Sequence, residues 1–350
     1  MKYKKLTVLL LLLALSLQLF ACAAAPTPTQ PQDSETPSQT DGPSDTPTAP
    51  TGYPAQPLDG EGKSKEPDAA FAAASAEFAA NLLKHAADSG ENAVVSPYSV
   101  LIALAMTANG ASGETRTQME TVLGLSVAQL NAYLLACGQK NTNELNAANA
   151  IWLREDYPVS EDFLQCSRDY YGAEVTSAAF NSDTRDRIND WVNYQTRGMI
   201  EKILDDMDPD AVMYLVNALA FQASWKHEYP ESDARPEVFH GASGDRQTTL
   251  MYSDESYYLH DENTAGFLKD YENDRFCYVV LLPDKSVSLE DYVASLTGEK
   301  LTALIANASN ESIHTVMPKF TNDCSFELSE ALQAMGMTDA FDKEKADFSG

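Results

Sequence analysis

Residue types capable of chemistry are present in this chain, but their spacing assembles none of the usual sites. The five histidines, His85, His227, His240, His260 and His314, recur at no interval that would set two of them together as metal ligands. An H-E-x-x-H helix, an EF-hand loop, a G-x-x-x-x-G-K-[ST] phosphate loop and a G-x-S-x-G nucleophile elbow are all absent from the sequence. Acidic pairs such as Asp205-Asp206 abound, yet glycoside hydrolysis needs two carboxylates at a set separation and nothing singles out a pair. Cys137, Cys166, Cys277 and Cys324 are widely spaced, with no C-x-x-C, and signal neither a zinc site nor a disulfide framework. The residues point to no catalytic group, no metal and no cofactor.

Charge and processing signals narrow the setting. With 52 acidic against 24 basic residues the formal charge is -28, and no basic stripe alternates with aromatics, so nucleic acid is not an expected partner. Acidity of this degree speaks to solubility and to attraction of basic partners, not to fold. Lys2, Lys4 and Lys5 precede an apolar run, which makes residues 1–21 a signal peptide. The run ends in Leu19-Phe20-Ala21-Cys22, which resembles a bacterial lipobox whose cleavage leaves Cys22 as the lipid-bearing terminus. The expected location is extracytoplasmic, on the cell envelope through a lipid anchor in the membrane, or secreted. Residues 22–67 then turn to Pro, Thr, Ser, Gln, Asp and Gly, too poor in large apolar side chains to fold, and form a tether reaching about 35–40 Å. Residues 68–350 are the folded domain, expected as a monomer.

The elements of that domain are organised around residues 92–113, the one long stretch apolar on every face. Ser96 is a good N-cap, Pro97 suits the first helical position, and Gly110 offers a left-handed stop. A helix apolar all round is buried. Helical periodicity also marks residues 68–85, 114–123, 127–137, 160–171 and 183–197, with Ser160 as a cap and Gly124 and Gly198 as stops. Residues 145–153, 173–180, 247–252, 266–271, 276–282 and 314–320 suit strands. Residues 211–225 read as one long strand, apolar enough to be central in a sheet covered on both faces. Residues 287–306 and 326–335 are helical. Helices and strands that do not alternate regularly give a mixed α+β fold.

The wording of these elements carries a family resemblance that periodicity cannot supply. N-x-x-x-S-P-x-S at residues 92–99, followed by NGASGETRTQMETVLG, resembles the buried second helix of the serpins and the helix after it. ANAIWL (148–153), INDWVNYQTRGMIEKIL (188–204), VNALAFQASW (216–225), VVLLPD (279–284), MPKF (317–320) and MGMTDAFDKEKADFSG (335–350) are similar to further serpin segments, in the family's order.

The resemblance implies a serpin fold, with helices around a large mixed main sheet plus smaller antiparallel sheets. It also implies a function: inhibition of serine, or cysteine, proteases by cleavage of a reactive loop and insertion of that loop into the main sheet. No catalytic residue of its own is needed. Ser96, Ser99 and Asn217 are carried over as the polar shutter under the sheet centre, and Trp225 and Lys319 as residues where insertion begins. After ADFSG the family continues into a further strand, the reactive loop and the last strands of the second sheet. The resemblance therefore implies that the reactive-site loop is absent from this chain and the domain incomplete at its C-terminus, with the long apolar strand left open on one edge, an aggregation hazard. Alternatives are a non-inhibitory serpin-like binding protein, an inactive fragment, and an envelope hydrolase or solute-binding lipoprotein that merely shares the anchor.

Overall fold

The computed structural model describes residues 8–11, 63–86, 92–241, 244–322, 324–325 and 327–350. Cys22 and the segment expected as a tether, as far as residue 62, lie outside the described residues, and of residues 1–21 only a short strand, β1 (Val8–Leu11), lies within them.

Side-chain caps fix the helical part. The Asp68 carboxylate accepts hydrogen bonds from the N–H groups of Ala70 and Phe71, at 3.0 and 3.1 Å, and starts α1 (Ala69–Ala86). Ser96 caps α2 (Pro97–Ala108) by accepting from the Ser99 N–H, and every residue from Ser99 to Ala108 is buried, as its all-round apolar pattern requires. The helix stops two residues short of Gly110, which is not left-handed. A side chain there would meet the Phe163 ring, 3.3 Å from a Cβ, so close packing accounts for this glycine. α3 (Gly113–Leu123) does end on a left-handed Gly124, and α4 (Val127–Gly138) opens on a Ser126–Gln129 capping box.

The main sheet follows with β2 (Leu145–Arg154), α5 (Glu161–Tyr171), β3 (Glu174–Ala178), α6 (Ser182–Gln195) and β4 (Met213–Phe221). Ser160 stands at the N-cap of α5, but its side chain makes no capping hydrogen bond. The strand order is β1-β4-β2-β3, with β4 antiparallel to β2 and parallel to β1. Because side chains alternate along a strand, β4 feeds two cores. Met213 and Leu215 join the cluster built on α1, α2, α4 and α5, while Tyr214, Val216 and Ala218 join Ile188, Trp191 and Val192 of α6. Covering both faces is what the continuous apolar run demands. The run over 211–225 is nevertheless not one strand: β4 ends at Phe221, and Trp225 rejoins only as an isolated bridge to Tyr271.

The remaining elements are β5 (Ala234–Gly241), β6 (Gly244–Glu255), β7 (Tyr257–His260), β8 (Thr264–Asp270), β9 (Cys277–Pro283), α7 (Leu289–Ser295), α8 (Gly298–Ala306), β10 (Ile313–Pro318) and α9 (Ser329–Ala334). They form two small antiparallel sheets, β10-β6-β5 and β7-β8-β9, with α8 against α1. β5 shows no apolar alternation, and as an edge strand it accommodates Pro236. Gly266, in the middle strand β8, sits where a Cβ would lie 2.1 Å from the carbonyl oxygen of Val280. Gly266→Ala is therefore expected to lower stability by about 1–3 kcal/mol, measured as a lower denaturant midpoint at unchanged slope.

Candidate functional site

A chain of buried polar groups crosses the interface between α2 and the main sheet. Ser99 is 1% exposed, and so is Asn217, which lies in β4 directly above it. The Ser99 hydroxyl donates to Asn217 Oδ1, and Asn217 Nδ2 donates to Asn149 Oδ1 at 2.8 Å across the β2–β4 pair. Asn149 Nδ2 in turn donates to the carbonyl of Tyr171 at 2.8 Å. Ser96 reaches this chain through its cap to the Ser99 N–H. The structure thus brings Ser96, Ser99 and Asn217 together and adds Asn149 as their cross-strand partner. The sequence does carry a signal for it: Asn149 in AANAIWL is, like Asn217 in LVNALAF, an amide inside an apolar strand.

A second polar knot lies behind the first. The Tyr171 hydroxyl donates to Asn131 Oδ1 at 2.5 Å, and Asn131 and Asn109 exchange amide hydrogen bonds at 2.8 and 3.0 Å. The Cys166 thiol donates to Asn109 Oδ1 at 3.1 Å. Burial holds the Tyr171 phenol well above its usual range and pushes the Cys166 thiol up, so both stay protonated donors and Cys166 is a poor nucleophile. These groups fasten the C-terminal end of α2 to α4 and α5.

Trp225 and Lys319 occupy different surroundings. Trp225, partly buried just past the end of β4, stacks on Tyr271 with centroids 4.5 Å apart and planes 9° from parallel. Burial pushes the Tyr271 hydroxyl up to about 12. Lys319 extends β10 instead: its N–H donates to the Thr249 carbonyl at 2.8 Å and its own carbonyl accepts from Thr248 Oγ1 at 3.0 Å. Its side chain borders a shallow hollow with Pro236, Gln247, Thr248 and Thr249. The lysine beside Trp225 is Lys269, which sequence inspection did not single out.

Comparison with known proteins gives this arrangement a family. Residues 73–350 match the family model described as Serpin (serine protease inhibitor). A serpin-like protein of Thermococcus kodakarensis is 29% identical over 285 residues, covering 78% of this chain and 66% of that protein. The crystal structure of tengpin, a thermophilic serpin in the latent state, superposes with a TM-score of 0.79 at 42% identity, over 82% of this chain and 80% of tengpin. Emu ovalbumin superposes at 0.73 with 27% identity, over 80% of this chain and 81% of ovalbumin. The chain belongs to the serpin family and has its mixed α+β fold, and it spans about two thirds of the length of the archaeal relative. The family is one of serine protease inhibitors.

Proposed function

We propose that this chain forms the body of a serine protease inhibitor that works by adding a strand to its own main sheet. A target protease attacks an exposed loop and forms an acyl-enzyme, and the cut loop then enters the sheet beside β4, carrying the protease with it and distorting its catalytic geometry. Cysteine proteases, which also pass through an acyl-enzyme, are the secondary target class.

One observation carries the proposal: β4 is a central strand whose free side is only partly occupied. Among the described residues 217–221 have no partner on that side, and β1, which pairs with Met213 to Val216, falls within the segment read as a signal peptide and would be lost on processing. At the start of that open stretch Asn217 is tied to Ser99 on α2 and to Asn149 on β2, bonds that fix the strand while leaving it free to take a neighbour. Residues 1–21 as a signal peptide, Cys22 as a lipidated anchor and residues 22–67 as a tether would hold the domain, residues 68–350, outside the cell envelope, where foreign proteases act.

The test is to express the protein from its own locus, mix it with serine proteases of tryptic, chymotryptic and elastase-like specificity, and analyse the mixtures on denaturing gels. Inhibition by insertion gives an equimolar adduct that survives detergent, together with lost protease activity. Cleavage of the protein with full protease activity retained overturns the proposal and favours a binding role without inhibition.

A further inference from the structure

A hollow of about 320 Å³ lies where α1, α3 and α9 meet, apart from the polar groups already described. Ala74, Glu77, Phe78, Asn81 and His85 recur at helical spacing and form its wall on α1. Phe78, which is 2% exposed, Val122 of α3 and Met335 at the end of α9 supply its apolar lining. Gly124, the left-handed stop of α3, borders it without a side chain. A Cβ there would lie 3.1 Å from that of Ala74, so this glycine lets α3 close on α1.

The fixed charge in this hollow is negative. Glu77 Oε1 accepts from Asn81 Nδ2 at 3.1 Å, and Oε2 accepts from the N–H of Gly298, the first residue of α8, at 2.7 Å. Two neutral donors thus hold the carboxylate, and among the described residues it has no cation as a partner. Lys84, which does not line the hollow, donates to the other end of the same amide, Asn81 Oδ1, at 3.4 Å. His85 is the basic residue among those that line it. α3 ends here as well, through Thr121, Val122 and Gly124, and the last carbonyls of a helix carry partial negative charge.

An apolar wall beside a held carboxylate and helix carbonyls suits an ammonium group on an apolar stem. A small anion would meet Glu77 and like-signed carbonyls, and a metal ion needs more oxygen ligands than one carboxylate supplies. We propose that this hollow binds a small organic amine, its ammonium at Glu77 and its apolar body against Phe78, Val122 and Met335. The excess of acidic residues, 52 against 24 basic, favours the approach of such a cation. The site does not depend on strand addition.

The test uses the full-length protein and probes of similar shape, phenethylamine, phenethyl alcohol and 3-phenylpropionate, followed by ligand-observed NMR and by the thermal unfolding midpoint. Phenethylamine is expected to bind saturably, with a dissociation constant on the order of 1 mM, and to raise the midpoint. The neutral alcohol should bind about three- to fivefold more weakly, the worth of one exposed charge, and 3-phenylpropionate should not bind. High salt should weaken the amine and spare the alcohol.

Glu77→Gln keeps an acceptor for the Gly298 N–H and removes the charge. It should bring amine binding down to the level of the alcohol and leave the alcohol unchanged. Ala334→Phe, at an exposed position on the rim, should weaken both, and supplies the comparison if Glu77→Gln does not fold. Amine and alcohol that bind equally, or a Glu77→Gln variant that holds the amine as the wild type does, overturn the role of the carboxylate. An amine without saturable binding, or binding that Ala334→Phe leaves untouched, overturns the site itself.

Discussion

Trp191→Ala lowers the unfolding free energy by about 3–5 kcal/mol, the range for deleting a large aromatic from a core. Trp191 is fully buried and is the largest side chain that α6 lays on the outer face of the main sheet, in one cluster with Trp152, Ile188 and Tyr214. Truncation leaves a cavity that the backbone of β2 and β4 cannot collapse to fill, because their other faces are committed to α2 and its neighbours. Urea unfolding followed by far-UV circular dichroism measures the loss. A change below about 1 kcal/mol would mean that α6 is not bound to the sheet as described.

Asn217→Ala is expected to cost about 2–4 kcal/mol, through unsatisfied partners more than through lost volume. It strands the Ser99 hydroxyl, which donates to Asn217, and Asn149 Oδ1, which accepts from it, both in buried positions. The pairing is separable from simple loss of an amide by a double-mutant cycle. In S99A/N217A neither member of the first bond is left waiting, and the combined loss should fall short of the sum of the single losses by about 1 kcal/mol or more. Additive losses would show that Ser99 and Asn217 do not share a bond.

Much of this architecture was legible in the residues. The helices announced themselves through caps and periodicity, since Ser96 and Gly124 act within a few residues of where they stand. β4 was visible as a strand because no surface position tolerates so unbroken an apolar run. Its end was not visible: Phe221, Trp225 and the residues between have strand-like composition, and only the aromatic stack on Tyr271, some 46 positions on, turns the chain out of the sheet. β5 escaped notice because an exposed edge strand needs no alternation. Serine and asparagine at 96, 99 and 217 were picked out by family wording, but Asn149 and Lys269 depend on partners brought together by the sheets. Spacing along the chain does not encode such contacts.

The asymmetry of Asn217 has a mechanical consequence. Its amide nitrogen reaches β2 and its carbonyl reaches α2, so neither bond faces the free side of β4. β4 is also joined to β2 over nine facing residue pairs, against four with β1. A strand added on the free side of β4, as proposed, would therefore break no bond of Asn217. The strands β3, β2 and β4 are paired into one plate, with the amide pair Asn149–Asn217 as a rivet through it. In the proposed strand addition, the seam that would yield is the outer margin of that plate.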